Sequence, residues 1–215
     1  MSFKKVINNP GFVVFYLFLI TGLVLLSQYE KGDIVIWLNQ QHNGFLDVFF
    51  KYFTFLGNGI IFVIIIIAFL LLSYFRAILF TIAVISQTVI IQVLKRIFFD
   101  DMVRPKLLLE NFNNLHHVPG VEINSFGSFP SGHTATAFTV AVLLSIMSGN
   151  RYITVLLMIL AIGVGISRIY LLQHFFIDVY FGALIGFLNG MVVWIWMKGS
   201  VLSNKPELKT GLIRK

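Results

Sequence analysis

Tyr152 to Met197 reads YITVLLMILAIGVGISRIYLLQHFFIDVYFGALIGFLNGMVVWIWM. Two uncharged apolar runs, Tyr152–Ser167 and Val179–Met197, flank a short patch holding Arg168, His174 and Asp178. A bilayer core about 30 Å thick is crossed by roughly 20 apolar residues in a helix. In lipid, every backbone N–H and C=O must pair within its own segment, so such runs are helical. The first run is short for a span. That predicts a helix continuing past Arg168, with a break near Leu171–His174. Ionisable side chains beside membrane-length runs are costly, which makes the patch a candidate functional site.

Working outward, four more runs have the same character: Gly11–Ser27, Tyr52–Phe75, Ala77–Leu94 and Gly132–Gly149. The expected fold is an all-α polytopic membrane protein, with six transmembrane helices in one bundle and a single integral-membrane domain over residues 1–215. Composition agrees, because 12% charged residues is half the roughly 25% of a soluble domain. With no cysteine among the 215 residues, a disulfide framework and thiolate metal sites are excluded. The net charge of +7 suits anionic lipid surfaces or phosphate substrates. No exposed basic stretch interleaved with aromatics is present, so nucleic acid is not an expected partner. The first run lacks a small-x-small cleavage site and reads as an anchor, not a signal peptide. DIVIWLNQQHNGFLDVFFKYFTF, Asp33–Phe55, mixes aromatic and polar residues. Up to the start of the second span it is expected to form one or two helices lying in the headgroup interface. The basic tail 198–215 is expected to be mobile.

Six spans place both termini on one side. Lys4, Lys5, Arg76, Arg151, Lys198, Lys205, Lys209, Arg214 and Lys215 fall on that side, leaving seven basic residues opposite. The positive-inside rule therefore puts the termini in the cytoplasm. Three polar clusters then emerge together on the outer face: KRIFFDDMVRP (Lys95–Pro105), PSGH (Pro130–His133) and SRIYLLQHFFID (Ser167–Asp178).

Each cluster has a chemical reading and a plainer one. His174 and Asp178, four residues apart, would share one face of a helix, where the carboxylate fixes the imidazole tautomer and frees the other nitrogen. Arg168 offers a planar fork to phosphate oxygens. The plainer reading is a satisfied His–Asp pair at a membrane boundary. In PSGH, Pro130 stiffens the entry, Ser131 suits an N-cap and Gly132 permits close backbone approach. Free N–H groups at that helix start suit an anion, and His133 is placed to donate a proton. The plainer reading is an ordinary capped helix. Lys95, Arg96 and Lys106, taken singly, read as snorkelling anchors. Asp100 and Asp101 are expected to solvate their loop. His116-His117, with Glu110 nearby, matches no zinc spacing and is expected in a solvated loop. Gln87 and Gln92 are expected to form interhelical hydrogen bonds.

Taken together, the clusters resemble the signature of the type 2 phosphatidic acid phosphatase superfamily, which also contains the vanadium haloperoxidases. That signature runs Lys-x6-Arg-Pro, Pro-Ser-Gly-His and Ser-Arg-x5-His-x3-Asp. The second and third motifs match without deviation at Pro130–His133 and Ser167–Asp178. In the first, Lys95 and Arg104 are separated by eight residues, so an insertion around Asp100-Asp101 must keep Lys95 in reach, with Arg96 as the substitute. Leu46-Asp47 to Leu56-Gly57-Asn58 also resembles the family's lead-in to its second span, and the motif-bearing core covers roughly residues 40–195.

The resemblance implies that His174 attacks phosphorus, Asp178 orients it and His133 serves the leaving group. Lys95, Arg104, Ser131, Gly132 and Arg168 would hold the phosphoryl oxygens. It implies hydrolysis through a phosphohistidine; because Asp100-Asp101 is only a weak Mg²⁺ candidate among the motifs, no metal ion and no cofactor are expected. A substrate whose tails stay in the bilayer is expected: undecaprenyl diphosphate, phosphatidylglycerol phosphate, phosphatidate or a lipid A phosphate. The expected location is a bacterial cytoplasmic membrane with the site facing outward. Alternatives are a lipid-to-lipid phosphotransferase of the same fold, or a non-enzymatic transporter or scaffold.

Overall fold

The computed structural model describes residues 9–109, 112 and 115–213. Lys4, Lys5, Glu110, Arg214 and Lys215, used above in the charge and loop readings, lie outside the described residues. The elements are α1 (Val13–Gln28, entered by a 3-10 turn at Pro10–Phe12), α2 (Asp33–Gln40), α3 (Gly44–Phe53), α4 (Ile60–Leu72) and α5 (Tyr74–Val93). They continue with a one-turn α6 (Pro105–Leu108), α7 (Gly132–Ser148), α8 (Arg151–Tyr170) and α9 (Phe176–Gly199).

Four helical segments are long and apolar enough to cross a bilayer: Pro10–Gln28, Tyr74–Phe98, Arg151–Tyr170 and Phe176–Gly199. A fifth candidate is the pair Gly44–Gly57 and Ile60–Leu72, bent by 52°, and Gly132–Ser148 is a shorter apolar helix. The straight second span expected from Tyr52 is therefore not formed. Helix α3 ends at Phe53, a 3-10 turn covers Thr54–Gly57, and α4 starts only at Ile60. Gly57-Asn58-Gly59 has poor helix propensity, and the side chain of Asn58 takes the N–H of Ile60.

Helix α7 is the centre of the bundle and packs most extensively against α9 and α8. Small residues allow the close approach, because a Cβ at Gly186 would collide with the carbonyl oxygen of Ala135, and one at Gly182 would lie 2.6 Å from that of Ser131. Thr139 Oγ1 donates to the Gly186 carbonyl at 3.1 Å across the same seam. In lipid, where apolar burial gives little drive, such small-residue contacts and interhelical hydrogen bonds hold helices together. Thr136 Oγ1 donates to Gln87 Oε1 at 3.2 Å, as expected for that glutamine, whereas Gln92 faces outward. The α7–α8 turn uses Gly149 in the left-handed region (φ 63°), with Asn150 capping α8 through the N–H of Tyr152.

The segment before the second span does form two helices. Their inner faces hold the 115–123 loop: Asn39 exchanges two hydrogen bonds with the backbone of His116, and Lys51 Nζ donates to the Pro119 carbonyl at 2.7 Å. Of the two loop histidines, His117 is exposed as expected, whereas His116 is tied down. It contacts Asp47 Oδ2 at 2.8 Å and stacks on His42 at 3.9 Å. The C-terminal tail is also docked and not free. Leu212 and Ile213 N–H groups cap the carbonyls of Leu70 and Leu71, the last turn of α4.

Candidate active site

Helix α8 runs past Arg168 to Tyr170, and the chain turns over 171–175 before α9. The turn is closed by the Arg168 carbonyl, which accepts from the N–H groups of Gln173 (2.9 Å) and His174 (3.2 Å). His174 and Asp178 therefore do not share a helix face. His174 precedes α9 and Asp178 lies in its first turn, where a carboxylate is favoured. The imidazole Nδ1 sits 3.4 Å from Asp178 Oδ2. That oxygen's hydrogen bonds come instead from Ser128 Oγ (2.5 Å) and the Phe175 N–H (2.8 Å). His174 Nδ1 itself has no aligned partner. The carboxylate thus sits beside the ring, held in place by two donors. Burial pushes the His174 imidazole down to about 3, against the pull of Asp178, so the ring is neutral near pH 7 and its outward nitrogen carries a lone pair.

PSGH opens α7 as expected. Ser131, fully buried, is the N-cap and accepts from the Thr134 N–H at 3.4 Å, and its Oγ also pairs with Thr134 Oγ1 at 2.8 Å. Its own N–H donates to the Asp178 carbonyl at 3.0 Å, which ties the second motif to the third. His133, in the first turn, is half-buried. Gly57 packs under it, since a Cβ there would lie 2.6 Å from the His133 carbonyl oxygen. This close approach brings the Thr54–Gly57 turn to the site, where Thr54 Oγ1 accepts from Arg168 Nη1 at 3.0 Å. Arg168 Nε is buried without a partner.

The first motif reaches the site despite its extra residues. Past Val93 the helix widens into a π turn over Leu94–Phe98, closed by Phe99 N–H on the Leu94 carbonyl, and the chain bends through 99–101. A widened turn takes up extra length without breaking the helix. Lys95 Nζ then donates to the Gly127 carbonyl at 2.5 Å, and Arg104 Nη2 donates to the same oxygen at 3.3 Å. Arg96 is exposed, so Lys95 is the cation that joins Arg104. Arg104 also donates through Nε to the Phe126 carbonyl (2.9 Å) and through Nη1 to Gln173 Oε1 (2.8 Å). Burial pulls its guanidinium below the ordinary value while Asp178 works the other way.

Six of the eight candidates (Lys95, Arg104, Ser131, Arg168, His174 and Asp178) thus lie in one connected network, and Gly132 and His133 follow Ser131 in the first turn of α7. Ser128, Gly127, Gln173 and Thr54 complete it, and none of them was singled out from the sequence. Ser128 could have been noticed only as a small hydroxyl two residues before Pro130. Ser167 bonds back to the Val164 carbonyl at 2.6 Å and supports its own helix. Among the described residues, no three His, Asp or Glu side chains converge as a metal site. What converges is three cations, two histidines, an N-cap with free N–H groups and one tethered carboxylate. That set can bind a tetrahedral anion and exchange protons with it.

The family model of the PAP2 superfamily matches residues 76–201, more than half of the chain. The crystal structure of Aquifex aeolicus LpxE superposes with a TM-score of 0.66 at 29% identity, covering 79% of this chain and 98% of that one. The first transmembrane PAP2-type phosphatidylglycerolphosphate phosphatase from Bacillus subtilis superposes with a TM-score of 0.62 at 24% identity, covering 86% and 94%. No curated protein matches the chain.

Proposed function

The chain belongs to the PAP2 superfamily, and from that premise we propose that it is an integral-membrane lipid phosphatase working through a phosphohistidine. The observation that carries the reading is the linkage of all three motifs through the Gly127, Gln173 and Asp178 bonds described above. In this reading the free nitrogen of His174 attacks phosphorus while the bond from phosphorus to the lipid oxygen breaks. That oxygen leaves with a proton from His133. Water then attacks phosphorus, its proton passes to His133, and the P–N bond breaks to release inorganic phosphate and free His174. Lys95, Arg104 and Arg168 balance the charge on the phosphoryl oxygens, with Ser131 and the Gly132 N–H at the helix start. Phosphoryl transfer needs mainly positioning and charge stabilisation, so three cations serve where other phosphatases use metal ions, and we propose metal-independent turnover.

The substrate class is a lipid phosphate monoester or diphosphate: undecaprenyl diphosphate, phosphatidylglycerol phosphate, phosphatidate or a lipid A phosphate. Apolar helices around the site support a lipid whose tails stay in the bilayer. The proposed setting is one domain over residues 1–215 in a bacterial inner membrane, with six crossings, cytoplasmic termini and an outward-facing site. Phosphate release by purified protein from a panel of these four lipids, with and without EDTA, is the test. Turnover of at least one lipid in EDTA is expected. Silence across the panel both with and without EDTA would sink the phosphatase reading, release only without EDTA would sink metal independence, and phosphate moved to a second lipid without release would favour a phosphotransferase.

A further inference from the structure

The end of the bundle opposite the candidate active site holds a second polar cavity. Arg76 lies near the start of α5 and Lys95 just past its end, 19 residues later, which is roughly 30 Å along a helix. At the Arg76 end, a cavity of about 330 Å³ is lined by Arg76, Lys198, Lys209, Ser203, Trp194 and Ile146, among others. Among the described residues none of these three cations has a carboxylate at ion-pair distance, although Glu207 is only two residues from Lys209. Arg76 stacks on Phe69 (5.6 Å) and Lys198 on Trp194 (5.3 Å), so aromatic rings hold the two charges in place.

The cavity wall is built and not incidental. The tail folds back so that Tyr74 N–H donates to the Thr210 carbonyl at 2.9 Å, and Leu212 and Ile213 cap Leu70 and Leu71 at 3.0 and 3.1 Å. Gly211 makes this possible, because a Cβ there would lie 2.5 Å from the Leu71 carbonyl carbon and the Leu72 nitrogen. The docked tail keeps Lys209 and Ser203 on the cavity. Three cations with no carboxylate at ion-pair distance among the described residues suit a phosphate. The apolar side chains beside it and the exposed Trp196 and Tyr152 at the same end suit a ligand anchored in the bilayer. We propose that this cavity binds the phosphate headgroup of an anionic membrane lipid, a site separate from the candidate catalytic centre.

The test uses the full chain in detergent, with native mass spectrometry after incubation with dioctanoyl phosphatidylglycerol, dioctanoyl phosphatidylcholine or inorganic phosphate. The first probe is a phosphodiester and no turnover is measured, so the result is independent of the phosphatase reading. Wild type is expected to retain phosphatidylglycerol over phosphatidylcholine. Each basic side chain near the surface contributes about fivefold, so Lys198→Ala/Lys209→Ala should weaken phosphatidylglycerol retention about 25-fold. Gly211→Ala, which displaces the tail without removing a charge, should also reduce it. Equal retention of the two lipids, an unchanged preference in the double variant, or displacement of phosphatidylglycerol by equimolar inorganic phosphate each overturns the proposal.

Discussion

Ser128→Ala tests whether the carboxylate beside His174 is positioned by its neighbours. Ser128 is 1% exposed, and its bond to Asp178 Oδ2 is 2.5 Å long. A hydrogen bond to a charged group contributes about 1.5–3 kcal/mol. The Phe175 N–H remains on the same oxygen, so Asp178 stays in place but loses one of two tethers. If the lost energy falls on the transition state, kcat drops about 10- to 100-fold. Ser128 donates to the carboxylate and is not among the groups proposed to hold the phosphoryl oxygens, so KM should change little. The assay is phosphate release from a lipid phosphate in detergent micelles, with kcat and KM measured separately. Ser128→Ala/Asp178→Asn should be no worse than Asp178→Asn alone, because the two residues act as one unit. An unchanged kcat, or losses that simply add, would refute the reasoning.

Arg104→Lys removes the fork that spans Phe126, Gly127 and Gln173, so kcat/KM should fall at least about tenfold with a lower unfolding midpoint. A lysine with wild-type turnover would show that charge alone suffices. Gly186→Ala places a methyl against the Ala135 carbonyl and should cost about 1–3 kcal/mol in detergent unfolding. Gly59→Ala, which meets open space, is the matched control and should be nearly neutral. Below pH 6.5 the unfolded chain protonates His174, whereas the native chain resists down to about 3. Stability should therefore fall as pH drops through that window and not change from this group above it. His174→Gln should flatten the fall between pH 6.5 and 4.5; an equal slope in both proteins would contradict a buried neutral imidazole.

Helices and motifs were legible because their signals are local. Uncharged runs mark spans wherever charge is costly, and the break near Leu171–His174 followed from the Arg168 and Asp178 boundary between the last two runs. The Ser131 cap could likewise be read from residue type, whereas the cations of the first motif read singly as snorkelling anchors and took a site role only through the family resemblance. The misreadings share a cause, namely dependence on contacts distant in sequence. An i, i+4 spacing suggested that His174 and Asp178 share a helix, but the turn closed by the Arg168 carbonyl separates them and Ser128 holds the carboxylate from 50 residues away. His116 looked solvated because Asp47 is 69 residues away. The bend at Gly57-Asn58-Gly59 was hidden by the apolar residues on either side. The docked tail depends on the last carbonyls of α4, which no tail composition announces.

The central claim is that His174 carries the phosphoryl group. Incubating the purified protein with a lipid bearing a radiolabelled phosphate, then quenching with base and mapping the label, tests it most directly. The label should appear as an acid-labile, base-stable adduct on the peptide containing His174, and His174→Ala should show neither label nor turnover. Label on another residue, or turnover by His174→Ala equal to wild type, would contradict it.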